Sequence, residues 1–245
     1  MEPSSWVLEV WGGLACFTRP ELKVERFSYP VITPSAARAV FDAIYWKPQF
    51  RWQVTKIEVL NPPKYIALRR NEVKDKAPSV RTIERWMAGK GQPEPIWADG
   101  DRDLLGTDAK GRTQRQTMAL KDVRYRLQAE IRPWPDFARD LPSFEAQFQR
   151  RAARGQCIFQ PYLGCREFPA YFRLVEAEHP EPPSVQTDMD LGFMLYDVFD
   201  LSRPGTCDDP PSVSLFQAVL RGGVLGVPDY ESDQVLKGQK EATPC

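Results

Sequence analysis

The chain has 245 residues, which suits one large domain or two small ones, and 42 % of them are hydrophobic, enough to bury a core. Its 33 basic residues balance 33 acidic residues, so any site for a polyanion must come from local clustering rather than from the overall charge. No apolar run approaches the roughly 20 residues of a membrane span, and the start MEPSSWVLEVWGG lacks the pattern of a signal peptide, so we expect a cytoplasmic protein without a membrane partner.

A strand followed by a helix is predicted near the start of the chain. Residues 6–11 favour a strand that Gly12 and Gly13 end or bend. Thr33 and Pro34 are residue types preferred at the N-cap and at the first position of a helix. The apolar residues of this helix recur at helical spacing, at Val40, Phe41, Ile44 and Tyr45. Lys47-Pro48 ends the helix.

The middle of the chain predicts two more strands, a second helix and a fourth strand. A second strand is expected over 52–59 and, after a long polar loop at about 70–115 with a short helix near 83–87, a third over 117–132. Pro142 starts the second helix, and Gly155 is a natural cap after its end. Alternating apolar residues favour a fourth strand over 166–176.

The order strand, helix, strand, strand, helix, strand predicts an α+β fold. It is the split βαβ arrangement of ferredoxin-like domains, which RNA-recognition modules share. This first domain is expected over 1–178. A small antiparallel β-sheet domain is expected over 185–231, where the glycines at 222–226 mark a turn or bulge, followed by a loose tail over 232–245. The third strand lacks the aromatic signature of RNA-recognition modules, so base stacking on the sheet face is not predicted.

Metal and cofactor chemistry is not expected. The five cysteines are irregularly spaced without a CxxC pair, which favours free thiols over a zinc site. The single histidine, His179, lies among prolines in a predicted linker. The acidic pairs Asp188/Asp190 and Asp208/Asp209 fall in loops without fixed geometry.

Tyr45 and Lys47 are the candidate catalytic residues. They present a phenol and an ammonium together at the end of the first helix. RNA is cleaved without a metal when its own 2′-hydroxyl attacks the adjacent phosphate, which requires proton transfer and positive charge. The alternative is that Tyr45 is an aromatic cap of the core.

Basic residues cluster in two places that could hold RNA phosphates. One is the loop before the first helix together with the helix itself, where Tyr29 could also stack a base: Arg19, Lys23, Arg26 and Arg38. The other is the end of the second helix, at Arg150 and Arg151. The alternative for each of these residues is an ordinary solvated surface charge.

Three strings resemble one protein family. They are WGGLACFTRPELKVERFSYPVITPSAARAVFDAIYWKP at 11–48, RQTMALKDVRYRLQAEI at 115–131 and QRRAARGQCIFQPYLGCREFPA at 149–170. Together they resemble the CRISPR-associated Cas-five family, subfamily d, of type I-C systems, over much of 6–176 and in the family's order. The resemblance implies a ferredoxin-like domain followed by a small β-sheet domain.

The resemblance also implies an activity and partners. Members are metal-independent endoribonucleases that cut the CRISPR repeat hairpin on its 3′ side. They remain on the resulting 5′ handle of the guide RNA (crRNA) as a subunit of the type I-C surveillance complex, Cascade. The implied partners are the backbone subunit, the large subunit and, through the assembled complex, target DNA.

The family's catalytic tyrosine maps onto Tyr45 in the string IYWKP. The Lys-His pair of characterised members falls opposite Ser143 and Phe144, which cannot replace it. Lys47, Arg115 or Lys121 could then supply the charge and the proton. The alternative is a non-catalytic subunit that binds the handle and supports assembly.

Overall fold

The computed structural model describes residues 3–22, 24–97, 106, 110–175, 183–205 and 209–238. The chain divides into two compact units, one made of Met1–Ile66 with Met118–Cys245 and the other of Ala67–Thr117. The strands are β1 (Ser5–Ala15), β2 (Arg26–Phe27), β3 (Phe50–Val59), β4 (Tyr65–Val73), β5 (Arg112–Pro133), β6 (Tyr171–Leu174), β7 (Met189–Asp197), β8 (Ser214–Arg221), β9 (Val224–Gly226) and β10 (Val235–Lys237). The helices are α1 (Pro34–Ile44), α2 (Val80–Met87) and α3 (Leu141–Ala153), the last preceded by a 3-10 helix at Pro135–Asp140.

The first unit is built on four antiparallel strands in the order β3-β5-β1-β6. The connections β1-α1-β3 and β5-α3-β6 carry the two helices, so each helix joins strands that are not neighbours in the sheet. This is the split βαβ arrangement. The predicted α+β class and its strand and helix order are confirmed.

The helices pack on one face of this sheet through large aromatic rings. As predicted, α1 begins at Pro34, and the Thr33 hydroxyl accepts a hydrogen bond from the Ala36 N–H at 3.3 Å. Phe41 of α1 packs against Trp52 of β3 and Phe148 of α3, with ring centroids 4.9 and 5.9 Å apart. Burying such rings gives the largest hydrophobic contribution per side chain, so these contacts fix the helices on the sheet.

The C-terminal strands continue the same sheet. β9 pairs with β3 and with β8, which also pairs with β7 and β10. The β8–β9 turn consists of Gly222 and Gly223, both at positive φ (53° and 75°), as a two-residue hairpin turn requires. The predicted glycine turn is therefore confirmed. The predicted loose tail from 232 needs correction. It contains β10, which pairs with β8, and Val235 of β10 is buried opposite Phe216.

Several predicted boundaries need correction. β1 continues through Gly12 to Ala15, because it keeps pairing with β5 as far as Ala15, which lies opposite Leu120. A Cβ at Gly12 would lie 2.5 Å from Leu163 Cδ1, so this glycine allows close packing instead of ending the strand. The fourth strand is only Tyr171–Leu174. The residues before it form a loop held by Gly164 (φ 83°), whose Cβ would lie 2.0 Å from the Cys16 carbonyl oxygen.

The second unit contains most of the predicted loop at about 70–115. Its strand residues end at Val73 and resume at Arg112, and α2 lies between them. Ser79 caps α2 by accepting a hydrogen bond from the Thr82 N–H at 3.2 Å. Among the described residues of this unit, no hydrophobic side chain is buried. None of the helices in the described parts of the chain is long and apolar enough to cross a membrane.

Candidate active site at the end of helix α1

Tyr45 is the first residue after α1, and its backbone is fixed on both sides. Its N–H donates to the Phe41 carbonyl at 2.9 Å, and its carbonyl accepts a 2.9 Å hydrogen bond from Trp52 Nε1. The side chain is only 5 % exposed, and its ring centroid lies 5.4 Å from that of Phe50. Most of the Tyr45 ring therefore belongs to the core, as the structural alternative predicts.

Lys47 is exposed, and its ammonium lies over two aromatic rings. Its Nζ is 5.9 Å from the centroid of Tyr45 and 5.6 Å from that of Phe144. Phe144 is buried near the start of α3 and also packs against Phe50, with centroids 5.2 Å apart. The structure thus brings Tyr45, Lys47 and the start of α3 together. At this place α3 presents an aromatic ring instead of an ionisable side chain.

A cleft of about 460 Å³ opens beside these residues. Trp46 on its rim is 53 % exposed, and Trp134 donates from Nε1 to the Pro48 carbonyl at 2.9 Å. Arg51 and Arg203 also line the cleft. An exposed tryptophan beside arginines can stack an unpaired base and hold phosphates. No pattern in the sequence singles out these four residues, although Trp46 directly follows Tyr45.

Arg151 and Arg150, both predicted to bind RNA, have different surroundings. Arg151 Nε donates to the Ile44 carbonyl at 2.7 Å, so it satisfies one of the last carbonyls of α1 next to Tyr45. Arg150 is exposed and donates to Gln147 Oε1 at 2.8 Å on its own helix. Arg151 therefore stabilises the end of α1 next to Tyr45, whereas Arg150 is exposed to solvent.

The predicted RNA-binding loop lies at the other end of α1. The Arg19 guanidinium covers the Tyr29 ring at 4.6 Å from its centroid, and Arg26 Nη1 lies 3.8 Å from Glu167. Tyr29 is 1 % exposed, so its predicted base stacking needs correction: the ring is buried under Arg19. Burial also raises the pKa of the Tyr29 phenol. Lys23 lies outside the described residues.

Arg38 binds two carboxylates. Its Nε donates to Asp197 of β7 at 2.7 Å, and its Nη1 donates to Asp42 at 2.5 Å. Burial lowers the pKa of Arg38, but these two carboxylates outweigh burial and raise it. Burial also raises the pKa of Asp42 to about 6, against the opposing effect of Arg38. Arg38 fastens α1 to β7 and also lines the cleft beside Tyr45, so its RNA contact stays a prediction.

Lys121, a further catalytic candidate of the first unit, is not placed beside Tyr45. Lys121 lies on β5, ten residues before Ile131, which pairs with Trp52. Ten residues of extended strand span roughly 33 Å. Its Nζ is 3.9 Å from Asp122. Arg115 belongs to the second unit. In the described parts of the chain, no three His, Cys, Asp or Glu side chains are grouped to hold a metal ion.

The fold is similar to that of proteins with solved structures. One is a CRISPR-associated protein, 22 % identical, with a TM-score of 0.62 over 96 % of this chain and 98 % of that one. A functionally uncharacterized protein from Streptococcus mutans is 21 % identical, with a TM-score of 0.61 over 96 % and 99 % of the two chains. At this level of identity, both likenesses show the fold alone.

Sequence comparisons identify the family. The family model for the CRISPR-associated protein Cas5, type d, matches residues 6–228. Two relatives are named CRISPR pre-crRNA endoribonuclease Cas5d. That of Mannheimia succiniciproducens is 38 % identical over 236 residues, 94 % of this chain and 97 % of the relative. That of Thermus thermophilus is 41 % identical over 198 residues, 81 % and 75 % respectively. The chain belongs to the Cas5d family, which confirms the resemblance seen in the sequence.

Proposed function

We propose that this chain is an endoribonuclease that cuts the repeat hairpin of CRISPR precursor RNA and stays on the 5′ handle. Membership of the family and the activity for which its relatives are named support this proposal. The main structural support is that Lys47 Nζ lies 5.9 Å from the centroid of the Tyr45 ring. Both residues are beside a cleft lined by tryptophans and arginines.

The proposed reaction uses a nucleophile that the RNA itself supplies. The 2′-hydroxyl oxygen attacks the adjacent phosphorus while the bond from phosphorus to the 5′ oxygen breaks. The products are a 2′,3′-cyclic phosphate and a 5′-hydroxyl. The 2′-hydroxyl loses a proton and the leaving oxygen gains one, and the Tyr45 phenol is the group proposed for proton transfer. The Lys47 ammonium stabilises the negative charge that develops on the phosphorane.

Substitution of Tyr45 by phenylalanine tests this proposal. The variant removes only the hydroxyl and keeps the ring that packs on Phe50, so we expect it to fold. Repeat RNA is incubated with excess protein in EDTA, and the single-turnover rate is measured. We expect a specific cut by the parent protein and a rate about 100-fold lower for Tyr45→Phe, the scale of losing one proton-transfer group. Tyr162→Phe, a half-buried tyrosine in the loop after α3, is the control and should cut normally.

A non-catalytic handle-binding subunit is the second candidate. The observation that favours it is Phe144, a buried ring at the start of α3 beside Tyr45 and Lys47. In this case the parent protein binds repeat RNA tightly but makes no cut at any excess. Tyr45→Phe then binds the handle and recruits the backbone subunit as well as the parent does.

We further propose that the chain works in the cytoplasm as a subunit of a type I-C Cascade. Its partners there are the crRNA, the backbone and large subunits and, through the assembled complex, target DNA. Family membership supports this assignment. Because the RNA contacts are to phosphates, binding should weaken steeply as salt concentration rises.

A further inference from the structure

The face of the sheet that lies opposite the helices carries a second cluster of charged and aromatic side chains. On β1, Trp6 contacts Phe148 of α3 with ring centroids 5.4 Å apart, which marks the face that the helices cover. Side chains alternate between the two faces of a strand. Glu9 and Trp11 of β1 therefore point to the opposite face.

Glu9 is buried between two arginines from the flanking strands. Arg124 Nε of β5 donates to Glu9 Oε1 at 2.7 Å, and Arg173 Nη2 of β6 donates to Oε2 at 2.8 Å. Burial alone would raise the pKa of Glu9, but the hydrogen bonds from Arg173 and Arg124 outweigh burial and lower it. One carboxylate thus orients two guanidiniums. The group keeps one net positive charge and has N–H donors beyond those that Glu9 accepts.

An aromatic pair lies next to this charged group. Trp11 of β1 and Tyr171 of β6 are directly opposite each other, with ring centroids 6.2 Å apart and planes inclined by 26°. Tyr171 is 56 % exposed. Exposed aromatic rings beside arginines are the usual platform for an unpaired base. The aromatic rings belong to β1 and β6, so the lack of an aromatic signature on the third predicted strand does not bear on them.

A cleft of about 480 Å³ lies beside the charged group and Trp11, whose ring stacks with Tyr171. Its lining includes Glu9, Trp11, Gly13, Asn61, Arg124 and Arg173. A Cβ on Gly13 would meet no atom within 4 Å, so the space beside this glycine is open. The volume lies within the range of small-ligand sites and has room for one nucleotide.

We propose that this sheet-face cleft binds an unpaired nucleotide of the RNA strand that flanks the repeat hairpin. Its base stacks on Tyr171, and its phosphate accepts hydrogen bonds from Arg124 and Arg173. The inference rests on the proposed function, which supplies the RNA. Charge complementarity favours RNA over a protein partner, because the two guanidiniums in the cleft are oriented together by Glu9, although Asp122 also lines the cleft.

The sheet-face cleft is separate from the candidate active site. Trp11 pairs with Arg124 on β5, whereas Trp52, which contacts Tyr45, pairs with Ile131 of the same strand. These two positions on β5 are seven residues apart, or roughly 23 Å. Variants of the cleft should therefore change RNA affinity without changing the cleavage rate of saturated enzyme.

Binding of labelled RNA by the full chain tests the proposal with matched variants. Tyr171→Ala is compared with Phe193→Ala, which removes an aromatic ring of the same 56 % exposure from β7. Arg173→Gln is compared with Arg154→Gln, an exposed arginine after α3. The RNAs are the repeat hairpin with and without its single-stranded flanks. Affinity is measured over a range of salt concentrations, and cleavage at saturating protein.

We expect Tyr171→Ala to bind the flanked RNA about tenfold more weakly and the bare hairpin with unchanged affinity. Arg173→Gln should reduce the slope of log affinity against log salt by about 0.7, the value for one phosphate contact on a single strand. Both controls should match the parent protein, and all four variants should cleave at the parental rate.

Equal affinity of Tyr171→Ala and Phe193→Ala for flanked RNA would overturn the inference while leaving the proposed function intact. Loss of backbone-subunit recruitment at unchanged RNA affinity would assign the cleft to a protein partner and also overturn it. If the cleft variants bound single-stranded DNA more weakly than the parent protein does but bound flanked RNA with unchanged affinity, the assignment to RNA would be overturned. Failure of the parent protein to bind repeat RNA would overturn both proposals.

Discussion

The Lys47 ammonium rests over the Tyr45 and Phe144 rings, so its charge stays beside the phenol proposed for proton transfer. Replacing Lys47 by methionine keeps the aliphatic chain and removes the charge. We expect single-turnover cleavage to fall by about 100-fold, which is typical for the loss of one group that stabilises transition-state charge. Lys47→Arg should retain activity within about tenfold. Lys64→Met, which neutralises another exposed lysine, is the control. Equal rates for Lys47→Met and Lys64→Met would contradict the role.

Asp42 shares the Arg38 guanidinium with Asp197, and burial raises the pKa of the Asp42 carboxyl to about 6 from an ordinary 3.8. The folded protein therefore holds a proton on Asp42 more tightly than the unfolded chain does. The resulting stabilisation is full below pH 3.8 and is lost as the pH rises through about 6. Asp42→Asn removes this dependence.

We therefore expect the free energy of unfolding of Asp42→Asn, relative to the parent, to rise between about pH 4 and pH 6 and then level off. The total change should be at most about 3 kcal/mol, since each pKa step corresponds to about 1.4 kcal/mol. Urea unfolding at a series of pH values measures it. Asp233→Asn, which removes an exposed carboxylate, is the control. A constant difference for Asp42→Asn across this range would show that Asp42 does not titrate there.

At the scale of elements, α3 caps the end of α1 through a hydrogen bond. Arg151 Nε donates to the Ile44 carbonyl, immediately before Tyr45. Arg151→Met should lower the free energy of unfolding by about 2 kcal/mol, because a charged donor to an otherwise orphan helix carbonyl is lost. Arg150→Met changes the neighbouring exposed arginine and should cost less than about 0.5 kcal/mol. Urea unfolding of both variants measures the difference, and equal losses would count against this capping role.

Elements with a regular pattern could be predicted from the sequence, whereas contacts between distant segments could not. Thr33 and Pro34 define the start of α1, and the alternation along β5 predicts that strand. The sequence does not predict β4, because its residues 69–72 are Arg-Arg-Asn-Glu, a charged run typical of a loop. In the site, Tyr45 and Lys47 are neighbours in sequence. Trp134 and Arg203 are distant in sequence and come to line the same cleft only when the chain folds. Arg38 is buried together with its ion-pair partner Asp197, which lies far along the chain.

At the scale of the molecule, the two compact units differ in how they bury apolar surface. Every hydrophobic side chain that is buried among the described residues belongs to the first unit, including Phe41, Trp52 and Phe148. The second unit, Ala67–Thr117, exposes Val80 and Met87 of α2 to solvent. Because burial of apolar surface is the main stabilising contribution to folding, the first unit should not need the second in order to fold.

Replacing residues 67–117 by an Asn-Gly turn tests this expectation. The Lys121 N–H donates to the Lys64 carbonyl at 2.8 Å, so β4 and β5 are already side by side where the short turn would join them. The shortened chain should unfold in one cooperative transition. Its free energy of unfolding should lie within about 3 kcal/mol of the parent value, the scale of the entropy change for closing the shorter loop. Urea unfolding followed by tryptophan fluorescence measures this, because Trp52 reports on the core. A broad, non-cooperative transition would mean that the second unit completes the fold of the first.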